Sequence, residues 1–422
     1  MTPLLTLLMY ALCLALALDP VPSLRVAGIP VQAFVEGVLL FLLFFRICLR
    51  RWVPMPSLLS GGYALILAAA TISTGLAYSR GLGVSVSHLL RTIAYALLPL
   101  VAIQAIQRPE QLRRCLLTIA AVSLGLTVYG FYGFLTGSVG LPVEHTFGYF
   151  GLHYIPATRN TDALYLVTGV VIILAHALYR PWGPLRGYLL AGPAVVGIVL
   201  SQSRSAWLSL AAGVVVLHWL RYRMLGGLFR VLVVAVLFGG LMWTVMPERY
   251  QAGLAARLAL FRSLSAASNE ERLQLYQGSF LLLLKHPLGV GAGNFSVYIE
   301  KEVGLGHLNH AENTFLNVAV ELGLVGLLGF VMLTILPMRN LVESAAVAED
   351  RRDWILPALA SLGVSWFVAL MFNTTTDFYL FWLVNAVLVA GERLYRAPAR
   401  QNFRSVARTQ TAIPAQGLHS QL

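Results

Sequence analysis

Apolar runs set the limits on what this chain can fold into. About twelve of them, each near the ~20 residues that carry a helix across a bilayer, follow one another with little between. They fall near residues 3–18, 31–48, 57–76, 89–106, 116–135, 161–178, 187–202, 206–220, 228–246, 313–336, 354–372 and 378–391. With 58% hydrophobic and 11% charged residues, the chain has too little polar surface to cover a soluble globule. The expected fold class is therefore an all-α integral membrane protein of about 12 transmembrane helices. The first run lacks a charged leader and a cleavage site, and reads as a retained helix rather than a signal peptide.

The charges then orient the runs. All the basic side chains are arginine apart from Lys285 and Lys301. Arg46, Arg50, Arg51, Arg108, Arg113, Arg114, Arg180, Arg186, Arg221, Arg223, Arg230, Arg339, Arg351 and Arg352 occupy alternate connections. The tail adds Arg393, Arg396, Arg400, Arg404 and Arg408, while Arg25, Arg80 and Arg159 are scattered on the other side. The positive-inside rule puts both termini in the cytoplasm. A net charge of +12 thus has a topological cause and gives no reason to expect nucleic acid. Cys13, Cys48 and Cys115 lie far apart, with no metal-ligand spacing and no disulfide framework.

Two outer segments are long. Residues 136–160, with His145, His153 and Arg159, read as an ordered loop rich in interfacial aromatics. Residues 247–309 are longer. In them Leu254, Leu258, Phe261 and Ser265 follow helical spacing among Arg249, Arg257 and Arg262, the pattern of a helix lying on the membrane surface. A second helix is expected over 270–285, with Leu273, Tyr276, Phe280 and Leu284 on one face. HPLGVGAGNF, residues 286–295, ends it. Its glycines lack the strand-to-helix setting of a nucleotide loop, so a turn packed beside the site is expected. No internal repeat or separable soluble domain is visible. The division expected is a membrane domain over 1–397, with an outer loop at about 247–312, and a disordered cytoplasmic tail over 398–422.

HAENTFLNVAVELGLVG, residues 310–326, opens on ionisable residues and runs straight into an apolar helix. The spacing of His310, Asn313 and Asn317 predicts that they share one helix face. Free N–H groups and the positive end of the helix dipole at that start favour an anionic ligand such as a phosphate. Arg204, in SQSRSAW between two runs with almost no loop, is costly beside a membrane unless it snorkels or is paired. It reads either as an interfacial cation or as a fixed partner for phosphate, with Gln202, Ser203 and Ser205 around it. Arg272, after two glutamates, taken alone is a solvated helix start. Glu270, Glu271, Glu300 and Glu302 read as solvated loop charges and not as a metal site.

SQSRSAWL, ERLQLY…HPLGVGAGNF and HAENTFLNVAVELGLVG, in that order, resemble the signature segments of the O-antigen ligase and polymerase superfamily. The resemblance implies a GT-C-like membrane fold, with a long helical periplasmic loop between the ninth and tenth helices. It also implies a metal-independent, inverting glycosyltransferase with no cofactor, acting at the periplasmic face of the bacterial inner membrane. The donor would be a glycan on undecaprenyl diphosphate and the acceptor, for a ligase, lipid A-core. By position, Arg204 and Arg272 match arginines that hold the donor diphosphate, and Asn313, Gly323 and Gly326 match the spaced Asn and Gly positions. One position departs: the family's histidine usually stands immediately before the Asn, where this chain has Glu312, with His310 two residues earlier.

The chemistry is coherent on the residues alone. Two arginines and a helix N-terminus stabilise a leaving diphosphate, and His310 or Glu312 takes the acceptor proton. An O-antigen ligase is the first reading. A repeat-unit polymerase or a protein oligosaccharyltransferase is the second. A transporter or flippase for lipid-linked sugars is the rival of another class, resting on Glu36 and Glu321 inside apolar runs.

Overall fold

The computed structural model describes residues 2–15, 25–26, 29–30, 37–38, 57–79, 86–136, 159–179, 184–201, 203–222, 240, 244, 267–305, 310–348, 353–374 and 380–395. The spans expected near 31–48 and 228–246, apart from 37–38, 240 and 244, lie outside the described residues, as do the surface helix through Leu254 and Phe261, His145, His153, Gln202 and the tail. The other expected spans are all helices. They are α1 (Thr2–Ala15), α2 (Ser57–Ser79), α3 (Val86–Ala105), α4 (Pro109–Thr136), α5 (Arg159–Tyr179), α6 (Pro184–Leu200), α7 (Arg204–Tyr222), α10 (Thr314–Val347), α11 (Ile355–Phe372) and α12 (380–395). Between α7 and α10 come α8 (Ala267–Lys285) and α9 (Phe295–Val303). A two-residue ladder, β1 (Arg25–Val26) with β2 (Ile29–Pro30), pairs antiparallel with Val26 opposite Ile29.

Among the described residues five helices, in α2, α3, α4, α10 and α11, are long and apolar enough to cross a membrane. The chain is a multi-pass, helical membrane protein. Its helices meet as membrane helices do, with small residues letting backbones close up and polar side chains bridging the gaps. At the α2–α10 crossing a Cβ on Gly329 would stand 2.7 Å from the Gly62 carbonyl oxygen, so a side chain there would push the two helices apart. Ser123 Oγ donates to the Tyr165 carbonyl at 3.0 Å across α4 and α5, and Ser365 Oγ to that of Ser209 at 2.7 Å across α11 and α7.

The two ends of the bundle differ. At one, Thr6 Oγ1 donates to the Ala105 carbonyl (2.8 Å), Arg393 to that of Ile103 (3.0 Å), and Asn340 Nδ2 to the Glu392 carboxylate. The short connection carrying Arg108 belongs to this end. At the other, α8, α9 and the start of α10 enclose a second, smaller core of Leu275, Leu282, Val290, Phe295, Ile299 and Val320. This outer layer stands over the ends of α2 and α3: Gly291 packs on Ala77 and Thr74, and Gly293 on His88.

The face expected on α8 is there, but it is not packed. Leu273, Phe280 and Leu284 are exposed while Leu275, Ser279 and Leu282 are buried, and Tyr276 is half-buried toward α10. Glu302 also departs from the solvated loop charge expected. It sits on α9 and bridges Lys285 Nζ (3.2 Å) and His286 Nε2 (2.8 Å) at the end of α8. Burial alone would raise its pKa, but the hydrogen bonds from His286 and Lys285 outweigh that and hold the carboxyl below its ordinary value.

The longest helix is broken. Gly323 in α10 has φ 73° and ψ −177°, which ends one helical segment and starts another. Such a break frees backbone groups that a membrane cannot satisfy. The 286–295 turn satisfies them: Val290 N–H donates to the Val320 carbonyl (2.9 Å), Gly291 N–H to that of Glu321 (2.9 Å), and Leu324 N–H to that of Pro287 (3.0 Å). The contact is backbone on backbone. A Cβ on Gly289 would lie 2.4 Å from the Glu321 carbonyl oxygen, and one on Gly323 2.5 Å from the Leu288 carbonyl carbon. Both glycines also have positive φ, so no other residue type fits either place without strain.

Candidate active site

The site grows from the start of α10. Asn313 is extended, at φ −153° and ψ 118°, and caps the helix: its Oδ1 accepts the Leu316 N–H at 3.1 Å. Its Nδ2 donates to the Met371 carbonyl (3.1 Å), and the next residue, Thr314, donates through Oγ1 to the Asn373 carbonyl (2.5 Å). The first turn of α10 is thereby fastened to the last turn of α11. From Asn373 the chain of polar contacts continues. Its Oδ1 accepts from Ser205 Oγ (3.3 Å), Ser205 meets Ser203 at 3.1 Å, and Ser203 Oγ donates to Asn160 Oδ1 at 2.8 Å. Asn373, Ser203 and Ser205 are all buried. Arg204, between the two serines and first residue of α7, is half-buried.

Arg272 reaches the same place from α8. Its Nη2 lies 3.4 Å from Glu312 Oε2, with the side chains 27% and 41% exposed. A good charge-assisted bond of this type is ~2.8 Å, so this pair is loose, and in such exposure contributes at most about 1 kcal/mol. Glu312 has φ 50°, and among the described residues it is the one non-glycine with positive φ. A glutamate gains nothing from that conformation, and such outliers gather where structure serves binding or chemistry. One turn along α8 from Arg272, the Tyr276 hydroxyl is held in its protonated form. Burial raises its pKa, and nearby Glu312 raises it further, against lowering by Arg272 and a hydrogen bond from Asn313.

The structure therefore brings Arg272, Glu312, Asn313 and Tyr276 together, and ties the Arg204 segment to them through Ser205 and Asn373. It does not put His310 on their helix. The helix begins at Thr314, and His310 lies exposed in a bend three residues before the cap. The face expected for His310, Asn313 and Asn317 fails because Glu312 turns the backbone left-handed between them. Asn317 is on the helix but buried beneath its first turn. In the sequence Tyr276 is hidden as a polar group because its position completes an apolar stripe. Asn373 and Asn160 bound the ends of spans, a position that polar residues occupy for solubility alone. Among the described residues no group of three or more His, Cys, Asp or Glu is gathered as metal ligands.

This stretch also carries the family likeness. Residues 188–331 match the family model Wzy_C, described as O-antigen ligase. Over this stretch, about a third of its length, the chain is similar to the O-antigen ligase family. The match runs from α6 past the break in α10, and includes Arg204, Arg272, Glu312 and Asn313. It supports a ligase- or polymerase-type, glycan-processing activity on lipid-linked glycans in a membrane. No curated protein matches the chain.

Proposed function

We propose that the chain is a glycan transferase of the inner membrane. It moves a glycan from undecaprenyl diphosphate to an acceptor, as an O-antigen ligase with lipid A-core as that acceptor. The observation that carries this is the Arg272–Glu312 pair at the capped start of α10, at the bundle end away from Arg108 and Arg393. With the arginine-rich connections in the cytoplasm, as are both termini, that end faces the periplasm.

In this reading Arg272, Arg204 and the first turn of α10 hold the donor diphosphate, and Asn313 fixes the turn. Attack by the acceptor hydroxyl on the anomeric carbon breaks the bond to phosphate and inverts the centre. Negative charge grows on the leaving diphosphate, where arginine and helix N–H groups stabilise it without a metal. Glu312 or His310 takes the acceptor proton. Glu312 stands beside the cap and His310 in the bend before it, so separate substitutions decide between them. The experiment is transfer from a purified undecaprenyl-diphosphate-linked donor to lipid A-core with EDTA present. It compares the unaltered protein with His310→Ala and Glu312→Gln. Transfer that survives EDTA and fails in one variant supports the ligase and identifies its base. A glutamate in the position usually held by histidine favours a polymerase as the second reading, and elongation of the carrier-linked glycan without transfer to lipid A-core would establish it. Silence in both assays would favour a transporter.

A further inference from the structure

Arg272 cannot hold a diphosphate and its present partner equally well. Glu312 occupies the guanidinium from one side, through a single long contact. Both groups are part-exposed, so an arriving anion has access to the pair. The residue that makes the contact is also held in a left-handed backbone conformation between the His310 bend and the Asn313 cap. The rest of the local structure does not share this looseness: Asn313 and Thr314 are fixed to α11 by hydrogen bonds. Glu312 is thus a loosely held carboxylate at the edge of a rigid turn. Two oxygens of a diphosphate can engage the guanidinium fork where Glu312 engages one nitrogen, so the diphosphate wins the exchange.

We propose that Glu312 is a placeholder for the donor diphosphate: the donor displaces it from Arg272, and only then is its carboxylate free to act as the base. This rests on the glycan-transferase reading above and adds an order to it. Before the donor binds, Arg272 and the Glu312 carboxylate are paired with each other. After the donor binds, the balance is complete. The acceptor O–H proton goes to the Glu312 carboxylate, the new C–O bond forms at the anomeric carbon, and the old C–O bond breaks. Its electron pair leaves on the diphosphate, which Arg272 retains. Coupling the base to donor occupancy limits futile chemistry at the empty site, because Arg272 leaves the carboxylate when the electrophile arrives.

The test is binding of inorganic pyrophosphate to the full-length protein in lipid nanodiscs, by calorimetry. Glu312→Gln and Glu312→Asn remove the competing charge, and asparagine also tolerates the left-handed backbone at that position. Both variants are expected to bind pyrophosphate about three- to fivefold more tightly than the unaltered protein, as loss of a weak competing ion pair requires. Both are also expected to lose transfer. Arg272→Ala is expected to bind pyrophosphate poorly whether or not Glu312 is present. Equal or weaker binding by both Glu312 variants, with binding still dependent on Arg272, would overturn the placeholder and leave the transferase reading standing. Absence of pyrophosphate binding in every form, the unaltered protein included, would overturn both.

Discussion

Arg272 is the residue on which the site turns, because among the described residues it alone joins the outer layer to the start of α10 by an ion pair. Arg272→Ala is expected to lower transfer by about 100-fold or more while leaving the amount of protein in the membrane unchanged, since one charge-stabilising donor is worth that much. Transfer within a fewfold of normal would remove Arg272 from the donor site. Asn313 acts differently. Its amide closes the helix and binds the Met371 carbonyl, so Asn313→Ala is expected to cost about 1 kcal/mol, read as a lower Tm in detergent. At this scale the sequence was legible where chemistry is local. An Asn before an apolar run is a cap wherever it occurs. The left-handed turn at Glu312 was not legible, because the residue has no preference for it and tertiary contacts on both sides impose it.

Among the elements, the turn at 286–295 and the break in α10 form one joint. Gly323→Ala and Gly289→Ala each set a Cβ against backbone, at 2.5 and 2.4 Å, in a positive-φ conformation. Each is expected to reduce folded protein recovered from membranes and to lower Tm by several degrees, whereas Gly304→Ala, which meets no neighbour, should be milder. Nothing in their spacing shows that they face one another, because the partners lie on different elements. Glu302 ties α9 to α8, and its lowered pKa fixes the sign of a pH effect. The stabilisation is present above the ordinary carboxylate range and is lost as pH falls through the depressed value. Amide exchange in α9 should therefore quicken below about pH 4, and in Glu302→Gln it should already be fast at pH 7. Exchange in α9 unaffected by either change would show that the bridge holds nothing in place.

For the whole molecule, hydropathy and arginine placement sufficed to anticipate a helical membrane bundle, since both follow from the bilayer and require no knowledge of contacts. How the helices neighbour one another was hidden, as the close approach of Gly62 and Gly329 illustrates: nothing in either segment names the other. The orientation proposed has a direct check. A cysteine replacing exposed Glu270 should react with a membrane-impermeant maleimide applied from the periplasmic side, and one replacing exposed Glu343 should not. The reverse pattern would place the site in the cytoplasm. The break in α10 also fixes a height. Counted along the chain from Arg339, ~20 residues at ~1.5 Å each exhaust the hydrocarbon thickness near Ala319. Gly323 then lies a few ångströms below the water line, and Asn313 roughly 9 Å above it, at the level of lipid headgroups. The carrier proposed as donor, its tail dissolved in the bilayer, would bring its diphosphate to that depth unaided, so on that proposal the protein would have no need to lift the donor out of the membrane before reacting it.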